Sequence, residues 1–90
     1  MNDKVLVKVI SLELDKSYDV FIPVNEYIWK VTKLITKVAF NILGIDVDVA
    51  RSNYVLVNKQ NGRIYKNNEI VIDTDIRNGT QLVLVSVDKM

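Results

Sequence analysis

The chain has 90 residues, with no cysteine, no histidine, three glycines and one proline. Those counts exclude a disulfide framework, a thiol nucleophile, a Cys-rich or His-ligated metal site and a Ser-His-Asp triad. Twelve basic residues against eleven acidic ones leave a formal charge of +1, without the strongly basic field of a dedicated nucleic-acid domain.

The elements read in chain order as follows. Val5, Val7 and Val9 alternate with Lys4, Leu6, Lys8 and Ile10, which is the period of a strand. This run is too short for a membrane span and lacks the form of a signal peptide. Ser11 to Lys16 is polar enough to reverse the chain. Tyr18, Val20 and Ile22 then alternate with Asp19 and Phe21 in a second strand, stopped by Pro23, which has no N–H for a ladder. Two strands so close in sequence pair as an antiparallel hairpin. Asn25 reads as a helix N-cap, with Glu26 suited to the positive end of the dipole. A helix of roughly five turns is expected from Glu26 to Leu43. Gly44 ends it, because glycine enters the left-handed conformation without steric cost. At 100° per residue, Ile28, Val31, Ile35, Val38 and Ile42 form its core stripe, with Ala39 beside them. Tyr54 to Val57 is a third strand. Asn61-Gly62 turns the chain so that Arg63 to Tyr65 pairs back as a short fourth. Asn78-Gly79 is another turn, and Leu82 to Val87 is the last strand.

One helix and about five strands, in the order ββαβββ, pack most economically as an α+β domain with the helix across one face of a mixed sheet. Residues 1–90 are expected to form this single β-grasp domain, with the first and last strands parallel at its centre.

These residues resemble ubiquitin from Val5 to Val85. Pro23 precedes a helix carrying Ile28, Val31 and Ile35, and Asp73-Thr74-Asp75-Ile76 precedes the strand Leu82-Val83-Leu84-Val85. Within that fold, the chain most resembles the YukD/EsaB family of bacterial ubiquitin-like proteins. The residues that carry this are Val57-Asn58-Lys59, and Ile76-Arg77-Asn78-Gly79 followed by Leu82-Val83-Leu84. They are packing and turn motifs, which specify fold better than activity. The resemblance implies a non-catalytic, cytoplasmic accessory or regulatory component of type VII (WXG100/Esx) secretion. Its partners would be proteins, among them secretion components or a second copy as a homodimer, with no nucleic acid and no direct membrane insertion. Alternatives are a generic ubiquitin-like adaptor or dimerisation domain, and a carrier protein activated at its C-terminus. The tail Ser86-Val87-Asp88-Lys89-Met90 argues against the carrier, since activating enzymes require a terminal Gly-Gly that threads a narrow channel.

Two surfaces are candidates for protein binding. If Val5, Val7, Val9, Leu82 and Leu84 point at the helix, then Leu6, Ile10, Val83 and Val85 point to the open sheet face. Val55 and Val57 are assigned to the same face, although a one-residue slip would put Tyr54 and Leu56 there instead. The bland alternative is a scatter of exposed valines favoured by β-propensity. The second surface is the back of the helix, where Trp29, Thr36, Phe40 and Leu43 line up away from the core stripe. The competing reading there is that loop 44–53, with Ile45, Val47 and Val49, covers them. Lys30, Lys33 and Lys37 read as a solvated helix face. Asp46/Asp48 and Asp73/Asp75 lack calcium-loop spacing and read as turn and capping residues. No catalytic residue, cofactor site or metal site is expected.

Overall fold

The two alternating segments become a hairpin of β1 (Lys4–Ser11) and β2 (Lys16–Pro23), paired antiparallel from Lys4–Pro23 to Ser11–Lys16. The computed structural model describes residues 3–12, 15–42, 44 and 53–87, apart from the side chain of Ile42. Helix α1 (Ile28–Ile42) follows, then β3 (Tyr54–Asn58), a 3-10 turn at Val71–Asp73 and β4 (Gln81–Ser86). The sheet order is β2-β1-β4-β3. The first and last strands are parallel neighbours at its centre, with Val9 beside Leu82 and Ser11 beside Leu84. Helix α1 lies across one face, as expected for a β-grasp.

The core forms where the alternations meet. Val7, Val9, Leu56, Leu82 and Leu84 are buried on the sheet side, against Ile28, Val31 and Ile35 of the helix. Ala39 is also buried, whereas Val38 is only partly so. Thr32 and Thr36 are buried as well. Their hydroxyls donate to the carbonyls of Ile28 and Thr32, each at 2.8 Å, which makes a polar side chain tolerable inside a helix face.

Two boundaries differ from expectation. The sheet has four strands, and the proposed strand at Arg63–Tyr65 is reduced to an isolated bridge between Val57 and Ile64. Asn58 N–H donates to the Arg63 carbonyl (2.8 Å) and Tyr65 N–H to the Leu56 carbonyl (3.1 Å). The chain then leaves the sheet to close over the start of the helix. There lies the second difference: α1 begins at Ile28 rather than Glu26, and Asn25 does not cap it. Tyr27 is held extended by a bridge to Ile70. The N–H groups of Ile28 and Trp29 donate to the carbonyls of Glu69 (2.8 Å) and Asn67 (3.3 Å). Tertiary carbonyls thus satisfy the orphan donors that a side-chain cap would otherwise serve. At the other end, Gly44 has φ +69 and donates to the Asn41 carbonyl at 3.0 Å, as the expected helix stop requires. Among the described residues, no helix is long and apolar enough to cross a membrane.

Candidate functional site

The face of the sheet away from α1 is organised by strand register. Parallel pairing sets Ile10 beside Val83, and antiparallel pairing sets Val83 beside Val57 and Val85 beside Val55. Ile64 joins this row through its bridge to Val57. The apolar side chains therefore form continuous rows across strands about 4.8 Å apart. Leu56 is wholly buried, so Val55 and Val57 take the open side. Ile10, Val55, Val57, Val83 and Val85 are half-buried by one another, and Leu6 is 37% exposed. All six expected residues are thus brought to one face. Leu6 stands apart from the main rows, paired with Phe21, which is 60% exposed. A polar row of Asp19, Lys8 and Gln81 separates that pair from Ile10 and Val83.

Phe21 and Ile64 join this face without having been expected there. The signal for Phe21 is present in the sequence, because it alternates with Val20 and Ile22 and so must point away from the core. Ile64 carries no such signal, since its place depends on the turn at residues 61 and 62.

Among the described residues of the expected second surface, on the back of the helix, the aromatic side chains are not brought to one exposed face. Phe40 is buried, its ring 6.0 Å from that of Tyr54 at 59°, and Thr36 is buried too. Trp29 is exposed, with the Lys30 ammonium 5.8 Å from its ring. Helix α1 crosses the sheet so that its last turns meet the β3 side, which internalises Phe40 and leaves Trp29 outside. Leu43, Asp46, Asp48 and most of the proposed covering loop lie outside the described residues. Lys30, Lys33 and Lys37 are exposed, and Lys30 lies 3.7 Å from Glu26.

A polar cluster closes the loops beside β3. Tyr65 is buried; its hydroxyl donates to Asp75 at 2.5 Å and accepts from Asn58 Nδ2 at 3.1 Å. Asn61 donates to the other Asp75 oxygen at 3.1 Å. Arg63 lies over the Tyr65 ring, 5.1 Å from its centre, and pairs with Glu69 at 2.5 Å. Burial first, then the bond to Asp75, push the Tyr65 phenol up to about 12. The Tyr65 hydrogen bond holds the Asp75 carboxyl below its ordinary value, against the opposing effect of burial. Glu69 is lowered mainly by the Lys66 backbone N–H that it accepts. Every polar group in this cluster is engaged by another, so its chemistry is that of a clamp.

Two outcomes follow from the clamp. Tyr65→Phe strands the buried amide of Asn58 and costs about 1–3 kcal/mol in denaturant unfolding. It also moves the Asp75 titration, followed by carboxyl NMR, up towards the ordinary aspartate value. An unchanged Asp75 titration contradicts the assignment. Second, the folded phenol resists ionisation more than the unfolded one. Its contribution to stability is therefore complete below pH 10 and is lost as pH rises towards about 12. Denaturation midpoints measured across that interval fall less steeply in Tyr65→Phe than in the unaltered chain.

No protein-family model and no curated protein sequence matches the chain. Solved structures do match, at identities that establish the fold alone. The ubiquitin-like domain of EccD5 from Mycobacterium xenopi is 16% identical with a TM-score of 0.74, over 96% of this chain and 97% of that one. A chain of the MycP5-free ESX-5 inner membrane complex is 19% identical with a TM-score of 0.74, over 96% of this chain. This chain spans only 21% of that longer one. The ubiquitin of Caldiarchaeum subterraneum is 19% identical with a TM-score of 0.63, over 92% of each chain. The fold is a ubiquitin-like β-grasp.

Proposed function

We propose that the chain is a non-catalytic protein-binding module of a type VII (WXG100/Esx) secretion system. In this reading it is of the YukD/EsaB kind, acts in the cytoplasm and takes its partner on the open sheet face. The observation that carries the secretion assignment is the end-to-end likeness to the EccD5 ubiquitin-like domain, joined by the likeness to part of an ESX-5 inner membrane complex. Binding through the open face is supported by its continuous apolar rows, which lack a covering element among the described residues. A role without catalysis is supported by the polar clamp, whose phenol, carboxylates and guanidinium are spent on one another. A role without conjugation is supported by the glycines, which occupy separate turns at positive φ and form no Gly-Gly pair.

The test has two parts. Genes for WXG100 proteins and a membrane-bound FtsK-like ATPase are expected beside this one. Cross-linking in the native cell, followed by mass spectrometry, is expected to join the open face to a secretion component. Cross-links from that face confined to a second copy of the chain would favour the dimerisation alternative. An absence of secretion components from both results would overturn the assignment.

A further inference from the structure

The chain finishes the two edges of its sheet differently. Strand β3 is capped by residues 63–65, where Asn58 N–H donates to the Arg63 carbonyl and Tyr65 N–H to the Leu56 carbonyl. Strand β2, at the other edge, pairs with β1 alone. Its backbone parity follows from the end of the hairpin, where Val24 N–H donates to the Asp3 carbonyl at 2.9 Å. Tyr18, Val20 and Ile22 therefore turn their backbone groups to β1, while Ser17, Asp19 and Phe21 turn theirs outward. Among the described residues, nothing pairs with those outward groups. The usual guards of an edge are missing from its middle. The ladder runs eight residues without a bulge, Lys16 stands only at its start and Pro23 only at its end. Between them Tyr18, Val20, Phe21 and Ile22 are strong strand formers, and Asp19 is the one charge. Phe21 is 60% exposed.

This edge is complementary to itself about a two-fold axis. Antiparallel pairing that sets Val20 opposite the Val20 of a second copy lets Asp19 and the second copy's Phe21 exchange N–H···O=C bonds in both directions. Moving the register by one step of the ladder sets Asp19 opposite Asp19, with like charges facing. Moving it one step the other way sets Asp19 opposite Pro23, which has no N–H to donate. Charge and the missing donor thus leave one register. In it the two exposed Phe21 rings become diagonal neighbours across the axis. On the helix side, half-buried Val20 meets Val20, and Tyr18 meets Ile22. Lys16 shares that side, since it pairs with buried Ser11. It falls opposite Val24, beside a hollow of about 230 Å³ lined by Pro23, Glu26 and Leu34. Its ammonium is thereby brought towards the Glu26 carboxylate. We infer that the β2 edge pairs with a second copy of this chain in that register, closing a dimer with one continuous sheet and leaving neither β2 edge open. The inference goes beyond the partner-binding reading, which concerns the middle of the sheet, and stands or falls separately from it.

Analytical ultracentrifugation of the full chain is expected to show the mass rising from one chain towards two as concentration approaches about 1 mM, with no larger species. The amides of Ser17, Asp19 and Phe21 are expected to shift in NMR spectra over the same range. Phe21→Lys, with its folding checked by circular dichroism, is expected to weaken association about tenfold or more. Lys33→Glu, on the exposed helix face, is expected to leave it unchanged. The chain has no cysteine, so an introduced thiol can bridge only between copies. With oxidised glutathione, Val20→Cys is expected to form a disulfide dimer, because facing residues of a non-hydrogen-bonded pair lie about 4.5 Å apart at Cα. Tyr18→Cys is expected not to, since its two copies lie about 13 Å apart along the strands. A single-chain mass at every concentration would overturn the inference and leave the edge to an extended segment of another protein. Open-ended oligomers, association untouched by Phe21→Lys, or amide shifts confined to β3 and β4 would also overturn it. So would bridging by Tyr18→Cys as readily as by Val20→Cys.

Discussion

Replacing Phe40 with serine is expected to lower the unfolding free energy by about 3 kcal/mol or more, and Tm by roughly 15 °C. The ring is 7% exposed and packs at a tilted angle against Tyr54. Serine removes the apolar surface and the aromatic contact, and leaves a space in a close-packed interior that its neighbours refill only in part. Trp29→Ser provides the contrast. Its side chain is 40% exposed, so the same change there is expected to cost under about 1 kcal/mol. Denaturant unfolding of the two variants side by side decides the matter. Equal losses would mean that the two aromatic residues share one environment, contrary to the structure.

Val83→Asp is expected to weaken partner binding by roughly thirtyfold or more while costing only about 1 kcal/mol of stability. Val83 lies between Ile10 and Val57 in the register of the two inner pairings, at the middle of the open face. A carboxylate there interrupts the apolar row and must be desolvated when a partner covers it. In the free protein the same carboxylate remains in contact with water, which keeps the folding cost low. Binding to the cross-linked partner, compared by calorimetry with circular dichroism as the check on folding, tests the prediction. Normal binding by a folded Val83→Asp variant would move the site elsewhere.

Much of this surface is legible in the sequence alone, and the reason is geometric. A strand's period of two sends Leu6, Ile10, Val83 and Val85 to one side once their neighbours are assigned to the core. The helix stripe of Ile28, Val31 and Ile35 is equally plain at its own period. The clamp is not legible: Tyr65 and Asp75 are ten residues apart, and neither sits in a periodic segment. The approach of Lys8 and Lys59 on either side of Gln81 is hidden for the same reason, since it takes three paired strands. The expected fifth strand fails because a turn signal at Asn61-Gly62 specifies reversal but not how far pairing continues. After Tyr65 N–H reaches Leu56, the chain is drawn instead towards the open donors at the start of α1.

By itself the sequence determined the strand alternation, the helix stripe, the glycine turns and therefore the β-grasp order of elements. Those features depend on local periodicity and backbone conformation, which short stretches of chain carry complete. The lack of cysteine and histidine likewise excluded thiol and imidazole chemistry from composition alone. The tertiary structure decided where the helix starts, that Phe40 is inside and Trp29 outside, and which charged groups border the open face. Each of those depends on a partner distant in sequence: carbonyls at 67 and 69 for the helix, Tyr54 for Phe40, and Gln81 linking the strands that bring Lys8 and Lys59 together.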